Sequence, residues 1–257
     1  MMRETDLKRM TRRSLLAGAG ASVAGMLLAE RSLFAAQSSS TTTATPRNIS
    51  ASFGSLKQID AGLLNVGYAE VGRPDGVPVV LLHGWPYDIH SFVDAAPLLS
   101  SAGFRVIVPH LRGYGTTRFL SGKTFRNGQQ AAVALDVVAL MDALKIEKAI
   151  LAGFDWGART ANIIAALWPE RCKAMVSVSG YLIGSQAAGK TPLPPITVPT
   201  ITLEGDANGA PYPDPTSYAK KFTGKYAHRT ITGGVGHNLP LEAPEAFAGA
   251  VIDVNGL

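Results

Sequence analysis

The 257-residue chain has a single cysteine, Cys172, so no intramolecular disulfide can brace it. Cys172 precedes an apolar run and reads as a buried, inert thiol. Charge is also scarce: 17% of residues are charged against 46% hydrophobic, which permits a sizeable core and argues against global disorder. The formal net charge is +5, but residues 1–36 hold six basic and three acidic residues, so 18 basic and 16 acidic remain beyond them, a net of +2. Those basic residues do not cluster, which leaves no case for nucleic-acid binding. The apolar stretch Leu15–Leu28 offers only fourteen mildly apolar positions, too few to cross a bilayer comfortably.

What is present begins with Thr11-Arg12-Arg13-Ser14-Leu15-Leu16, ahead of that stretch and of the small residues Ala35 and Ala36. Charged segment, weak apolar segment and small-residue site resemble a twin-arginine export signal. The resemblance implies a periplasmic or secreted protein whose precursor meets the twin-arginine export machinery. An amphipathic N-terminal helix or an uncleaved anchor is the alternative. Ser38–Thr45 is Ser/Thr-rich and reads as a flexible linker. The expected division is a signal peptide over 1–36, a linker over 37–49 and one domain over 50–257.

Strand and helix signals then alternate. Leu56–Ala61 and Leu64–Val71 read as an opening hairpin. Pro78–Leu82 is fully apolar, as a parallel strand buried on both faces must be. Ser91–Ser101 reads as a helix, Phe104–Val108 as a strand and Gln129–Leu144 as a helix. Ala149–Ala152 follows as a strand, and Ala158–Leu167 as a helix stopped by Trp168-Pro169. Ala174–Val178 and Thr200–Leu203 are further strands. Tyr218–Tyr226 and Ala243–Val251 read as helices around a last strand near Arg229–Ile231. This order implies an α/β fold: a mostly parallel central sheet with helices on both faces. Ligands of such sheets bind at the carboxyl ends of the strands.

Gly153-Phe154-Asp155-Trp156-Gly157 follows a strand and opens a helix, the context of a nucleophile elbow. Its glycines allow strand and helix to approach closely around a strained turn. The central aspartate would be a carboxylate nucleophile, forming an ester with an electrophilic carbon that bears a leaving group. An ordinary junction with Asp155 as helix N-cap is the alternative.

His83-Gly84-Trp85-Pro86, Arg112-Gly113-Tyr114-Gly115, Gly153–Gly157 and Gly236-His237 occur in that order in one chain. Together they closely resemble the epoxide hydrolase and haloalkane dehalogenase branch of the α/β-hydrolase superfamily, from about Ser50 onward. The resemblance implies two-step hydrolysis of a small molecule without a cofactor or metal, through an ester on Asp155. It places an oxyanion hole at the backbone N–H groups of Trp85 and Trp156 and a general base at His237. The orienting acid belongs in the loop Glu204-Gly205-Asp206-Ala207-Asn208. Asp206 is the first choice, with Asp214 and Glu204 as alternatives, because Asn208 stands where relatives carry the acid. Asp206 could instead merely cap its own turn. The tryptophan indoles could hold a departing halide, so a haloalkane or haloacid dehalogenase is a second reading.

This sequence departs from those relatives in several places. Pro109-His110 stands where they usually read Pro-Asp, and Ser179 and Gly180 leave no acid after the sixth strand. A helical cap is absent or minimal: only Gly180–Val198 separates the sixth and seventh strands, and Thr191-Pro192-Leu193-Pro194-Pro195 cannot be helical. Tyr181 and Tyr212 are the nearest replacements for cap tyrosines. Without a cap, Trp85, Trp156, Tyr181 and Leu182 are expected to form an exposed apolar floor, with Asp155 in a shallow depression. Such a face could drive homo-oligomerisation, and it raises a third reading, a weakly active or non-catalytic binding protein.

Overall fold

A computed structural model describes residues 52–183, 194–210 and 214–257. The expected signal peptide and linker, Thr191–Leu193 and Tyr212 lie outside these residues. The opening hairpin pairs β1 (Lys57–Ala61) with β2 (Leu64–Gly72) around Gly62, whose φ of 57° suits a residue without Cβ. Strands β3 (Pro78–Leu82), β4 (Arg105–Pro109), β6 (Ala149–Gly153), β7 (Cys172–Val178), β8 (Thr200–Gly205) and β9 (Tyr226–Ile231) run parallel to one another, and β2 pairs antiparallel with β4. The short β5 (Arg118–Phe119), which the sequence pattern does not reveal, pairs antiparallel with β2. The order is β1-β2-β4-β3-β6-β7-β8-β9, a mostly parallel sheet as expected.

Six α-helices complete the described fold: α1 (Ala95–Ser101), α2 (Gln130–Ala143), α3 (Trp156–Leu167), α4 (Pro215–Tyr218), α5 (Leu239–Glu242) and α6 (Pro244–Asn255). On one face, Val133 and Met141 of α2 and Ala161 and Ile164 of α3 pack over Leu82 and Leu151. On the other, Leu99 of α1 and Phe247 and Val251 of α6 pack over Val79, Ile150 and Val176. Each fully buried Leu, Ile, Val or Phe contributes roughly 1.5–3 kcal/mol relative to exposure. Cys172 is fully buried, and burial pushes its thiol up to about 12, so it stays protonated and unreactive.

Two expected helices are broken. Residues 91–101 divide into a 3₁₀ turn, Ile89–Phe92, and α1; Asp88 caps the turn by accepting the His90 backbone N–H at 2.9 Å. Residues 218–226 hold only the end of α4 and a 3₁₀ turn, Ala219–Lys221; Tyr226 already belongs to β9. Tyr226 pairs with Thr200 of β8 and Phe222 bridges Ile196, so tertiary pairing overrides the helical pattern there; Phe222 and Tyr226 then stack with centroids 4.6 Å apart and planes 4° apart.

In register, Leu82 lies beside Gly153, Gly153 beside Ser177, Val178 beside Leu203, and Gly205 beside Ile231. The carboxyl ends of β3, β6, β7, β8 and β9 therefore open on the same side of the sheet. The loops that follow them carry Trp85, Asp155, Ser179, Asn208 and His237.

Candidate active site

Asp155 sits between β6 and α3 with φ 51° and ψ −120°, a conformation that costs of order 1–3 kcal/mol outside glycine. Phe154 anchors the strained turn: it is fully buried, with its ring 6.0 Å from Phe92 and 5.5 Å from Tyr87. The glycines are sterically required. A Cβ on Gly157 would strike the Leu82 carbonyl oxygen, and one on Gly84 would come within 2.5 Å of the Asp155 Cβ. The geometry is that of a nucleophile elbow, and no cap hydrogen bond ties the Asp155 side chain to α3.

The two Asp155 oxygens have different neighbours. Oδ1 accepts the Trp85 backbone N–H at 2.8 Å. Oδ2 lies 3.6 Å from His237 Nε2. Trp85 thus stands where the oxyanion reading needs it, whereas the Trp156 N–H, at the start of α3, makes no hydrogen bond with the Asp155 side chain.

His83 holds the Trp85 loop in place. It is fully buried; Nδ1 donates to the Gly84 carbonyl at 3.1 Å, and Nε2 accepts the Leu111 N–H at 3.2 Å. Those contacts require the neutral ring, and burial lowers its pKa to about 4. An unfolded-chain histidine protonates near 6.5, so between pH 6.5 and 4 the unfolded state binds the extra proton. The His83 contribution is therefore complete above pH 6.5 and falls as the pH drops, by about 3 kcal/mol at pH 4. Urea unfolding from pH 7 to 4 should show this slope, and His83→Gln should flatten it.

Arg112, from the Arg-Gly-Tyr-Gly segment, forms a two-pronged ion pair with Asp136 of α2, at 2.6 and 2.7 Å. Burial raises the Asp136 carboxyl above its usual range, partly offset by the Arg112 guanidinium. The pair ties the segment to the sheet's helical cover. Periodicity alone did not reveal this partner.

The expected acid must be corrected. Asp206 does not reach His237; its carboxylate accepts the N–H groups of Gly233, Gly234 and Val235 at 3.0, 2.9 and 2.9 Å. Those three hydrogen bonds hold its carboxyl below the usual range. Asp206 pins the loop leading to His237. Asp206→Ala is expected to lower the thermal midpoint while leaving the hydrogen bond on His237 Nδ1 intact; a calorimetric scan and a histidine NMR spectrum check this. Asp214 caps α4 through the Thr216 N–H at 2.8 Å and is likewise not the acid.

Asn208 takes the place instead. Its Oδ1 lies 3.1 Å from His237 Nδ1 and accepts the Ala210 N–H at 3.0 Å. Its Nδ2 donates to Glu204 Oε1 at 2.6 Å. Glu204 is 4% exposed; burial raises its carboxyl, and hydrogen bonds from Asn208 and Ser179 oppose the rise. Asp155, His237, Asn208 and Glu204 therefore form one continuous line.

Beside it lies a cavity of about 380 Å³ lined by His83, Gly84, Trp85, Leu111, Arg112, Tyr114, Gly128, Val133 and Trp156. Asp155 and His237 do not line it; Gly84, Trp85 and Trp156 adjoin both the cavity and Asp155. The size and apolar wall suit a small organic molecule. Trp85 is 66% and Trp156 37% exposed, while the Asp155 side chain keeps 20% exposure. The floor is open at the tryptophans, but Tyr181 does not contribute: it is buried and donates its hydroxyl to the Pro194 carbonyl at 2.7 Å. Among the described residues, no three His, Cys, Asp or Glu side chains converge as a metal site.

The α/β-hydrolase-fold family model matches residues 77–201. A solved structure from Klebsiella pneumoniae, of a protein provisionally named an epoxide hydrolase, is 45% identical; the match covers 80% of this chain and 98% of that one, with a TM-score of 0.77. This chain belongs to the α/β-hydrolase-fold family. Among curated relatives of this α/β-hydrolase, epoxide hydrolase B of Mycobacterium tuberculosis is 36% identical over 115 residues, 44% of this chain and 32% of that protein. Epoxide hydrolase 3 of Siraitia grosvenorii is 38% identical over 125 residues, 49% of this chain and 38% of that protein. The α/β-hydrolase thus matches about a third of the length of these curated relatives, 32% and 38%.

Proposed function

We propose that the protein hydrolyses small, largely apolar epoxides through an ester on Asp155. The observation that carries this reading is the division of labour on one carboxylate: Oδ1 on the Trp85 N–H at 2.8 Å, and Oδ2 facing His237. Oδ2 attacks an epoxide carbon and the ring C–O bond breaks. The alkoxide takes a proton from water, which reaches the partly exposed carboxylate. The second step is hydrolysis. His237 Nε2 removes a proton from water as it adds to the ester carbon. Negative charge gathers on Oδ1, already against the Trp85 N–H, where a preorganised donor lowers the barrier. Collapse expels the diol oxygen, protonated by the imidazolium, and leaves Asp155 as a carboxylic acid; its proton neutralises the hydroxide left by the first step and the carboxylate is restored.

A single turnover with excess protein in ¹⁸O-water tests this path. The ester route places the heavy oxygen in the Asp155 carboxylate and none in the diol. Label found in the diol would mean direct attack by water and would remove Asp155 as nucleophile.

A second reading, dehalogenation, is favoured by the two indoles beside the cavity. It predicts halide release from a chloro- or bromoalkane by the same Asp155 ester. Binding of either compound without turnover would point to the non-catalytic alternative.

A further inference from the structure

Activation of water by His237 creates an imidazolium, which a negative charge near Nδ1 must hold and orient. Asn208, the residue touching Nδ1, is neutral. An amide fixes the ring's direction but gives less stabilisation to the new positive charge than a carboxylate does. The negative charge lies one residue further, on Glu204.

Several features make Glu204 more than a packed side chain. It projects from the end of β8 into a 4% exposed site, where an ionised carboxylate is costly without a partner. Hydrogen bonds from Asn208, Ser179 and the Gly205 backbone oppose that cost first, and the His237 ring beyond Asn208 adds to them least. The orientation of the Asn208 amide is fixed independently of both: its oxygen accepts the Ala210 N–H, so its nitrogen faces Glu204. One amide thus accepts from the ring and donates to the carboxylate. Ser179, at the end of β7, reaches the same point, with Oγ 3.4 Å from Asn208 Nδ2.

We propose that Glu204 is the acidic member of this site and acts on His237 through the side-chain amide of Asn208. The acid has moved one step back along a hydrogen-bonded line. Glu204 polarises the amide, keeps the His237 proton on Nδ1 and leaves Nε2 free to accept one from water. It is a positioning residue, and the inference rests on His237 being the base proposed above.

The test uses Glu204→Gln, Asn208→Ala and the double variant Glu204→Gln/Asn208→Asp. Glu204→Gln should slow hydrolysis of the Asp155 ester by about 10²-fold, below the about 10⁴-fold seen when a directly bonded orienting charge is lost, while ester formation keeps its rate. The double variant, with its carboxylate directly against Nδ1, should recover most of the loss; a merely structural Glu204 would not be rescued. Should Glu204→Gln fail to fold, Asn208→Ala serves, because it leaves the charge but removes the bridge and should slow the same step. In the free protein, the downfield NMR signal of the His237 Nδ1 proton should be present in the parent and weakened in Glu204→Gln. Unchanged hydrolysis with an unchanged signal would overturn the relay while leaving the ester mechanism standing. Absence of any ester in the parent would overturn the function instead, and the NMR signal would still decide the relay.

Discussion

His237→Gln is expected to turn the protein into a trap for its own substrate. The proposed attack by Asp155 Oδ2 does not depend on a base, so alkylation should proceed. Hydrolysis then stalls, because water beside the ester has no group to take its proton. General-base catalysis contributes roughly 10²–10⁴-fold, and turnover should fall by that factor. Intact-protein mass spectrometry should show a gain of one epoxide mass, and peptide mapping should place it on Asp155. The structure adds a requirement: the adduct must be stable when His237 alone is changed, since Asn208 and Glu204 have no direct access to the ester. Parent-like turnover without an adduct would show that His237 is not the base.

Asp155→Asn is expected to abolish both steps. The neutral amide is a poor nucleophile, and removal of a covalent catalyst typically costs about 10⁴-fold or more in kcat. No adduct should form, even combined with His237→Gln. The fold should survive, because Asp155 makes no cap hydrogen bond to α3 and the turn is anchored by Phe154. The variant should also keep its affinity for apolar ligands in the cavity beside Trp85. Initial rates must be read with the protein mass in hand, because slow deamidation back to aspartate would restore activity. Undiminished initial turnover at the variant mass would remove Asp155 from the role.

Both predictions concern a site with an open rim. Exposed Trp85 and Trp156 flank Asp155, and water there raises the effective dielectric and weakens the contact between the Trp85 N–H and any oxyanion formed on it. Modest rates on simple epoxides are the expected consequence. Compounds that cover both indoles should react faster, since they exclude that water on binding; kcat compared across epoxides of increasing apolar size measures this.

Much of the fold was legible because the relevant signals are local. A five-residue apolar run such as Pro78–Leu82 has nowhere to go but the interior of a parallel sheet, and β3 occupies those residues. The elbow could be read because its glycines answer a short-range steric demand, imposed by the carbonyl of Leu82 and by Asp155 itself. Local reading failed where distant residues decide. Residues 218–226 show a helical pattern, but pairing of Tyr226 with Thr200 of β8 and of Phe222 with Ile196, both far back in the chain, draws them into a turn and a strand.

The acid shows the same division most clearly. Sequence by itself determined the order of elements, the elbow at Asp155, the loop bearing His237 and a polar cluster from Glu204 to Asn208, since each depends on neighbours within a few residues. It could not rank Glu204, Asp206 and Asn208, which lie within five positions. Only tertiary structure did that, by setting Asp206 beneath the Gly233–Val235 amides and Asn208 between His237 and Glu204. The physical reason is that an orienting hydrogen bond reaches about 3 Å in one direction, and which side chain lies along it depends on how the ends of β8 and β9 are placed side by side.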